Sequence, residues 1–106
     1  MVIRVLTFEG CPHCEAAKDL VEKTVRDLHL QADIETIQVK NENEAQTYQF
    51  LGSPSIQIDG QDIERTRRNE KSSYSCRVYR TPTGITGVPP RELLVNAIRD
   101  ALPTSP

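Results

Sequence analysis

The two cysteines near the start of the chain, Cys11 and Cys14, are the residues best suited to chemistry, and they enclose Pro12 and His13. Thiols at this spacing serve as a redox pair that alternates between dithiol and disulfide, or as half of a metal site. They can also be two thiols that lie close together without a shared role. The surrounding elements decide between these interpretations, because thiol–disulfide exchange requires a thiolate nucleophile.

An apolar run precedes the cysteines and an amphipathic segment follows them. Residues 3–8 are typical of a buried strand, and residues 15–30 place their apolar side chains on one stripe of a helix. The unpaired N–H groups and the dipole at the start of a helix favour a negative sulfur and lower the pKa of a thiol. We therefore interpret Cys11 as the attacking thiol and Cys14, one turn into the helix and more buried, as the resolving thiol.

The residues between the cysteines can tune the thiolate. Pro12 has no N–H to donate, and its ring fixes the backbone of the first turn. A protonated His13 stabilises reduced Cys11 and makes the disulfide more oxidising; the alternative is an exposed side chain without a role. The second histidine, His29, is interpreted as an ordinary residue of the last helical turn.

The rest of the chain alternates between strand-like and helix-like segments. We predict a strand over 32–40, a helix over 41–51 capped by Asn41 or Asn43 and ended by Gly52, and a helix from 89 to 102. Segments 55–58 and 61–64 predict a hairpin, because Asp59-Gly60 between them is typical of a type I′ turn. The element order is then β-α-β-α-β-β-α.

This order, with the two cysteines between the first strand and the first helix, resembles the thioredoxin fold. Ser53-Pro54, directly before the third predicted strand, lies where proteins of that fold carry a cis-proline opposite the cysteines. The stretch GSPSIQIDGQDIE is similar to the corresponding glutaredoxin segment, and Cys-Pro-His-Cys is similar to the motif of the bacterial disulfide-forming DsbA proteins. The whole chain also resembles small bacterial thioredoxin-like proteins, some of which are labelled as relatives of organomercurial lyases.

The resemblance implies an α/β, thioredoxin-like fold, with a four-stranded mixed sheet, three flanking helices and an extra loop or hairpin before the last helix. It implies that Pro54 is cis, which keeps a backbone N–H out of the site and, beside Ser53, leaves room for an extended substrate. It also implies a thiol–disulfide oxidoreductase in which Cys11 and Cys14 are catalytic. No cofactor is expected beyond that redox-active disulfide, and the expected partners are protein or small-molecule thiols and disulfides.

Residues 65–88 fit no simple element, and a loop of this length is uncommon in a compact domain. We interpret it as an insertion near the active-site edge, in which residues 76–81 and 85–88 form a small extra hairpin. Between Arg65 and Arg80 there are six basic residues and one acidic residue, a net charge of +5, which leaves −7 for the rest of the chain. The segment is either a solvated basic loop or a source of positive field for thiolates and anionic substrates.

Cys76, the third cysteine, lies within that basic segment. The predicted hairpin returns the chain to the edge that carries the motif, which places Cys76 within reach of Cys11 and Cys14. Three roles compete: an inert thiol, an additional redox or resolving cysteine, or the third ligand of a soft metal such as Hg(II), Cu(I) or As(III). The last role defines a competing function, a non-catalytic thiol binder. Structural zinc is disfavoured because a closed site takes four ligands, often as two separated pairs.

Composition limits the class of protein. The 106 residues fit one domain, 1–106, that buries its own core, and residues 103–106 are expected to fray. Hydrophobic residues make up 37% and charged residues 26%, as in ordinary soluble proteins. With no apolar run near about 18 residues and no secretory signal, we expect a cytoplasmic protein without a membrane partner. The net charge of −2 argues against a nucleic-acid partner, and a monomer is assumed.

Overall fold

The structure, a computed structural model, describes residues 1–102. Its elements are β1 (Val2–Thr7), α1 (Cys14–Asp27), β2 (Asp33–Gln38), α2 (Glu42–Tyr48), β3 (Ser55–Ile58), β4 (Gln61–Asp62), a 3-10 turn (Arg65–Arg67), β5 (Tyr79–Thr81), β6 (Gly84–Thr86) and α3 (Arg91–Ala101). Within the described part of the chain, no helix has the length and apolar character to cross a membrane. The fraying expected at residues 103–106 lies outside the described residues.

The apolar run at the N-terminus becomes the strand around which the sheet is built. β1 pairs in parallel with β2 on one side and antiparallel with β3 on the other. β4 pairs antiparallel with β3, so the strand order is β2-β1-β3-β4. The predicted four-stranded mixed sheet with three helices is confirmed. β5 and β6 form a separate antiparallel hairpin, with shorter strands than the sequence predicts.

The alternation of side chains along β1 divides the core into two layers, because successive side chains of a strand point to opposite faces. Ile3 and Val5 pack against buried residues of α1 and α3, namely Ala17, Val21, Leu94, Ala97 and Ile98. Leu6 points the other way and packs with Val39, Ala45 and Phe50. Helices α1 and α3 therefore cover one face of the sheet, and α2 covers the other.

Single residues with left-handed backbone shape two of the connections. α1 ends at Asp27, three residues earlier than predicted, and His29 with a φ of 51° lies just beyond it rather than in its last turn. In the turn between β3 and β4, Asp59 and Gly60 have φ values of 50° and 85°. Both positive angles are those that a type I′ turn requires, as the sequence predicts.

The bounds of α2 are fixed by a capping side chain at its start and a left-handed residue at its end. It begins after Asn41, whose side chain accepts a hydrogen bond from the Glu44 amide at 2.9 Å. It ends at Tyr48 because Gln49 takes a left-handed conformation, with a φ of 54°. The prediction that Gly52 ends this helix is therefore wrong, since a non-glycine residue takes the left-handed position three residues earlier.

The segment between β4 and β5 is held to the sheet by Arg77, whose side chain is 1% exposed. Its guanidinium donates to both carboxylate oxygens of Asp62, at 2.6 and 2.8 Å, and to Glu64 at 2.9 Å. It also donates to Ser55 Oγ at 3.0 Å and lies 4.6 Å from the centre of the Tyr79 ring. Burial is the largest single influence and lowers the pKa of Arg77, but the hydrogen bonds to Asp62 and Glu64 and the nearby negative charge together outweigh it and raise that pKa above its ordinary value.

Replacing one partner of this buried pair should destabilise the fold strongly. Asp62→Asn is expected to lower the free energy of unfolding by about 3 kcal/mol, because it removes the buried counter-charge of the guanidinium and leaves only the partly exposed Glu64. Urea unfolding followed by circular dichroism measures the loss. The matched control is Glu35→Gln, which breaks a pair with Arg4 whose side chains are 36% and 48% exposed. That control should cost less than about 1 kcal/mol; equal losses would contradict the anchoring role of Arg77.

Candidate active site

A disulfide joins Cys11 to Cys14, with 5.6 Å between their Cα atoms. The chain enters the motif through Gly10, whose φ of 83° lies in the left-handed region that favours glycine. Both cysteines are half-buried, whereas Pro12 and His13 between them are exposed. Solvent and small solutes therefore reach the motif from outside.

The disulfide lies at the N-terminus of α1. His13 occupies the N-cap position without a side-chain capping bond, and its carbonyl accepts the Ala17 amide at 3.0 Å. Cys14 is the first residue of the helix, so the prediction that it lies one turn inside is wrong. The helix starts one residue earlier than predicted. The N–H groups of the first turn are left without intrahelical acceptors and favour a negative sulfur once the disulfide is reduced.

Ser53 lies against the disulfide, and its peptide bond to Pro54 is cis, as the resemblance implies. Ser53 Oγ is 3.4 Å from Cys14 Sγ and accepts a hydrogen bond from the Phe8 amide at 3.2 Å. Ser53 is 3% exposed and Pro54 is fully buried. The end of β1, the start of β3 and the disulfide therefore meet at one place.

Tyr79 contacts the cis-proline from the segment that follows β4. Its hydroxyl donates to the Pro54 carbonyl at 2.7 Å, and its side chain is buried. Burial raises the pKa of Tyr79 above its ordinary value; the positive charge of Arg77 opposes this rise and the carboxylate of Asp62 adds to it. The tyrosine thus fixes the carbonyl that follows the cis bond.

From the sequence, Arg77 is only one of the six basic residues of the segment, and Tyr79 has no predicted role. The available signal was their spacing of two residues, which places both side chains on one side of an extended segment. Asp62 and Glu64 have the same spacing and provide the matching negative charges. Nothing in the sequence shows that these two pairs meet, because the partners are 13 and 15 residues apart along the chain.

Cys76 lies beside Ser53, to which its backbone forms a parallel bridge, and its thiol is free and exposed. Among residues 1–102, no group of three histidine, cysteine or acidic side chains is arranged to hold a metal ion. The three cysteines are therefore not assembled as a ligand set while two of them form the disulfide. Arg77, the neighbour of Cys76 in sequence, directs its guanidinium at the carboxylates of Asp62 and Glu64.

Part of the basic segment is neutralised locally. Besides Arg77, Arg67 also has acidic partners, with its Nε 3.1 Å from Glu70 and its Nη1 3.5 Å from Glu64. The hydrogen bond from Arg67 lowers the pKa of Glu70 below its ordinary value. These two of the six basic residues between positions 65 and 80 are thus paired with acids.

His13 is contacted by the far end of the same insertion. A Cβ built at Gly87 would overlap the imidazole ring, lying 2.5 Å from its Nε2 atom, so the ring packs directly over the glycine backbone. The insertion therefore borders the motif at two places, at Gly87 and at Cys76, which lies beside Ser53.

Comparison with known sequences identifies the class of protein. The family model described as Thioredoxin domain matches residues 1–63. The chain is 31% identical over 101 residues to a protein named thioredoxin from Methanocaldococcus jannaschii, and the alignment covers 94% of each chain. The chain belongs to the thioredoxin family. No solved structure gives a significant match to this thioredoxin-family chain. The two matches support a thiol–disulfide oxidoreductase kind of activity.

Because Tyr79 is buried, we expect this thioredoxin-family protein to lose stability at alkaline pH. Since burial raises the folded pKa of Tyr79, its contribution is complete below the unfolded pKa and is lost as the pH rises through the folded pKa. An unfolded tyrosine ionises near about pH 10. Above that pH, the free energy of unfolding of the wild type should fall by up to about 1.4 kcal/mol per pH unit more steeply than that of Tyr79→Phe. Urea unfolding across this range measures the difference, and parallel profiles would contradict it.

Proposed function

We propose that the protein is a thiol–disulfide oxidoreductase that works through Cys11 and Cys14. The observation that carries the proposal is the position of their disulfide, at the N-terminus of α1 and against Ser53 Oγ beside the cis-proline. Membership of the thioredoxin family supports the same reaction class. The exchange needs few groups, because two thiols and a helix terminus suffice for it.

In the reducing direction, the Cys11 thiolate attacks one sulfur of a substrate disulfide. A mixed disulfide forms, and the other substrate sulfur leaves as a thiolate and takes up a proton. The Cys14 thiolate then attacks the Cys11 sulfur, which releases the second substrate thiol and forms the Cys11–Cys14 disulfide. Two electrons pass from the protein to the substrate, and an external thiol must return them. The oxidising direction is the same sequence reversed.

Neighbouring residues have proposed roles in this exchange. Ser53 Oγ, 3.4 Å from Cys14 Sγ, is placed to donate a hydrogen bond to that sulfur when it becomes a thiolate. Pro12 and His13 are proposed to tune the attacking thiolate, the first by fixing the backbone and the second by its charge. No cofactor beyond the cysteine pair is required by the steps above. A cytoplasmic location and a monomeric state remain predictions from the sequence.

No observation favours the competing function, in which three cysteines bind a soft metal. In the described residues the Cys76 sulfur has no disulfide partner and joins no group of potential ligands. The proposed exchange needs only Cys11 and Cys14, and Cys76 is therefore the natural control for it.

Substitution of each cysteine tests the two-thiol reaction. With a small disulfide substrate and excess dithiol, Cys11→Ser should abolish turnover, because no other step forms the mixed disulfide. Cys14→Ser should lose at least about a hundredfold in turnover and accumulate a mixed disulfide at Cys11, visible by mass spectrometry.

The matched control is Cys76→Ser, which removes an equally reactive type of residue outside the disulfide. It should keep kcat/KM within about threefold of the wild type. A loss as large as that of Cys14→Ser would replace the two-thiol reaction with one that needs the third cysteine. Full activity in Cys11→Ser would end the proposal.

A further inference from the structure

The side chain of Ser53 contacts Cys14 Sγ. The backbone of Ser53 is therefore the part of the strand edge that lies next to the disulfide. An extended peptide commonly binds a protein by adding a strand to such an edge, with its main chain paired to free N–H and C=O groups. Whether those groups of Ser53 are free therefore decides whether a peptide disulfide can be presented in this way.

Both groups are already taken by the chain itself. The Ser53 amide donates to the Ser75 carbonyl at 2.8 Å, and the Ser53 carbonyl accepts the Arg77 amide at 3.0 Å. This pairing is the parallel bridge that sets Cys76 opposite Ser53. Residues 73–77, here called the strap, therefore occupy the place that an added strand would take.

The strap is attached at its N-terminal end by a hydrogen bond and by aromatic packing. The Ser73 amide donates to the Phe50 carbonyl at 2.8 Å. The ring of Tyr74 packs on Phe8 and Phe50, with ring centres 5.4 and 6.5 Å apart. An invading peptide would have to break these contacts before it reached Ser53.

The strap is attached at its C-terminal end by the buried ion pairs of Arg77 with Asp62 and Glu64. It also approaches the chain closely at Gly52, where a Cβ would lie 2.8 Å from Arg77 Cβ and 3.1 Å from the Ser75 carbonyl oxygen. Displacing the strap would pull a charged, buried side chain away from its partners, which is strongly unfavourable.

We propose that the strap makes this site selective for low-molecular-weight disulfides and excludes extended peptide disulfides that bind by strand addition. The proposal rests on the proposed function. Two observations support it. The strap takes both the N–H and the C=O group of Ser53. The half-buried disulfide and the exposed residues Pro12 and His13 stay open to small solutes. With the edge closed, residues on either side of a substrate cystine find no main-chain partners at Ser53 and add no binding energy there.

Substrate length tests the proposal in the wild-type protein. One series of symmetrical disulfides would run from cystamine to peptides with about one and about three residues on each side of the cysteine. We expect kcat/KM to stay within about threefold across the series. A rise of about tenfold or more with added residues would overturn the proposal.

A second measurement decides the question even if no disulfide is turned over. In the double variant Cys14→Ser/Cys76→Ser, which keeps Cys11 as its one cysteine, Cys11 is capped chemically with an activated cysteamine or with an activated cysteine peptide, and amide hydrogen exchange is followed by NMR. We expect the amides of Ser53 and Arg77 to be equally protected with both caps. Loss of their protection by about tenfold or more with the peptide cap alone would show that a peptide displaces the strap. If the wild-type protein turns over no disulfide while the amides of Ser53 and Arg77 stay protected with both caps, the result counts against the proposed function and not against the role of the strap.

Loosening the strap should reverse the selectivity. Tyr74→Ala removes the aromatic packing without touching the buried ion pairs, and Val78→Ala, at a side chain that is 54% exposed on the same segment, is the control. In Tyr74→Ala we expect faster exchange of the Ser53 amide and a rise of about tenfold in kcat/KM for the longest peptide relative to cystamine. Val78→Ala should behave as the wild type. Faster exchange without any gain for the peptide would contradict the strap as the source of selectivity.

Discussion

The ion pair between Arg77 and Asp62 is the interaction on which the arrangement of the site depends. It brings a full charge into the interior, which is tolerated only because two carboxylates and a hydroxyl receive the guanidinium. Once Arg77 is fixed, the backbone on its N-terminal side is held against Ser53. On its C-terminal side, Tyr79 is held under the Pro54 carbonyl. The insertion therefore forms part of the wall of the candidate site.

The proposed thiol–disulfide exchange uses features that the thioredoxin fold already provides. The end of β1 lies beside the start of the antiparallel β3, so the turn that carries the cysteines meets the turn that carries the cis-proline. The first turn of α1 adds unpaired N–H groups at the same place. A thioredoxin-family sheet thus concentrates a helix terminus, a hydroxyl and two sulfurs at one edge. In this chain, residues 73–77 pair with Ser53 and complete the edge.

Features encoded by neighbouring residues could be predicted from the sequence. The motif between an apolar run and an amphipathic segment, the Asp59-Gly60 turn and the order of elements all depend on local patterns. Details decided by backbone conformation were missed, such as the end of α2 at a left-handed Gln49. The burial of Arg77 could not be predicted from the sequence either. Six basic residues in one stretch suggest a solvated surface, and only the folded chain shows which of them meets Asp62.

The proposed function requires that Cys11 and Cys14 interconvert between dithiol and disulfide as one two-electron couple. The most direct test is to equilibrate the protein in a graded series of reduced and oxidised glutathione buffers and to count alkylated thiols by mass spectrometry. We predict one transition in which two thiols appear together and map to Cys11 and Cys14, and the same transition in Cys76→Ser. A pair that stays in one state across the whole series, or a transition that disappears in Cys76→Ser, would contradict the proposed two-thiol reaction.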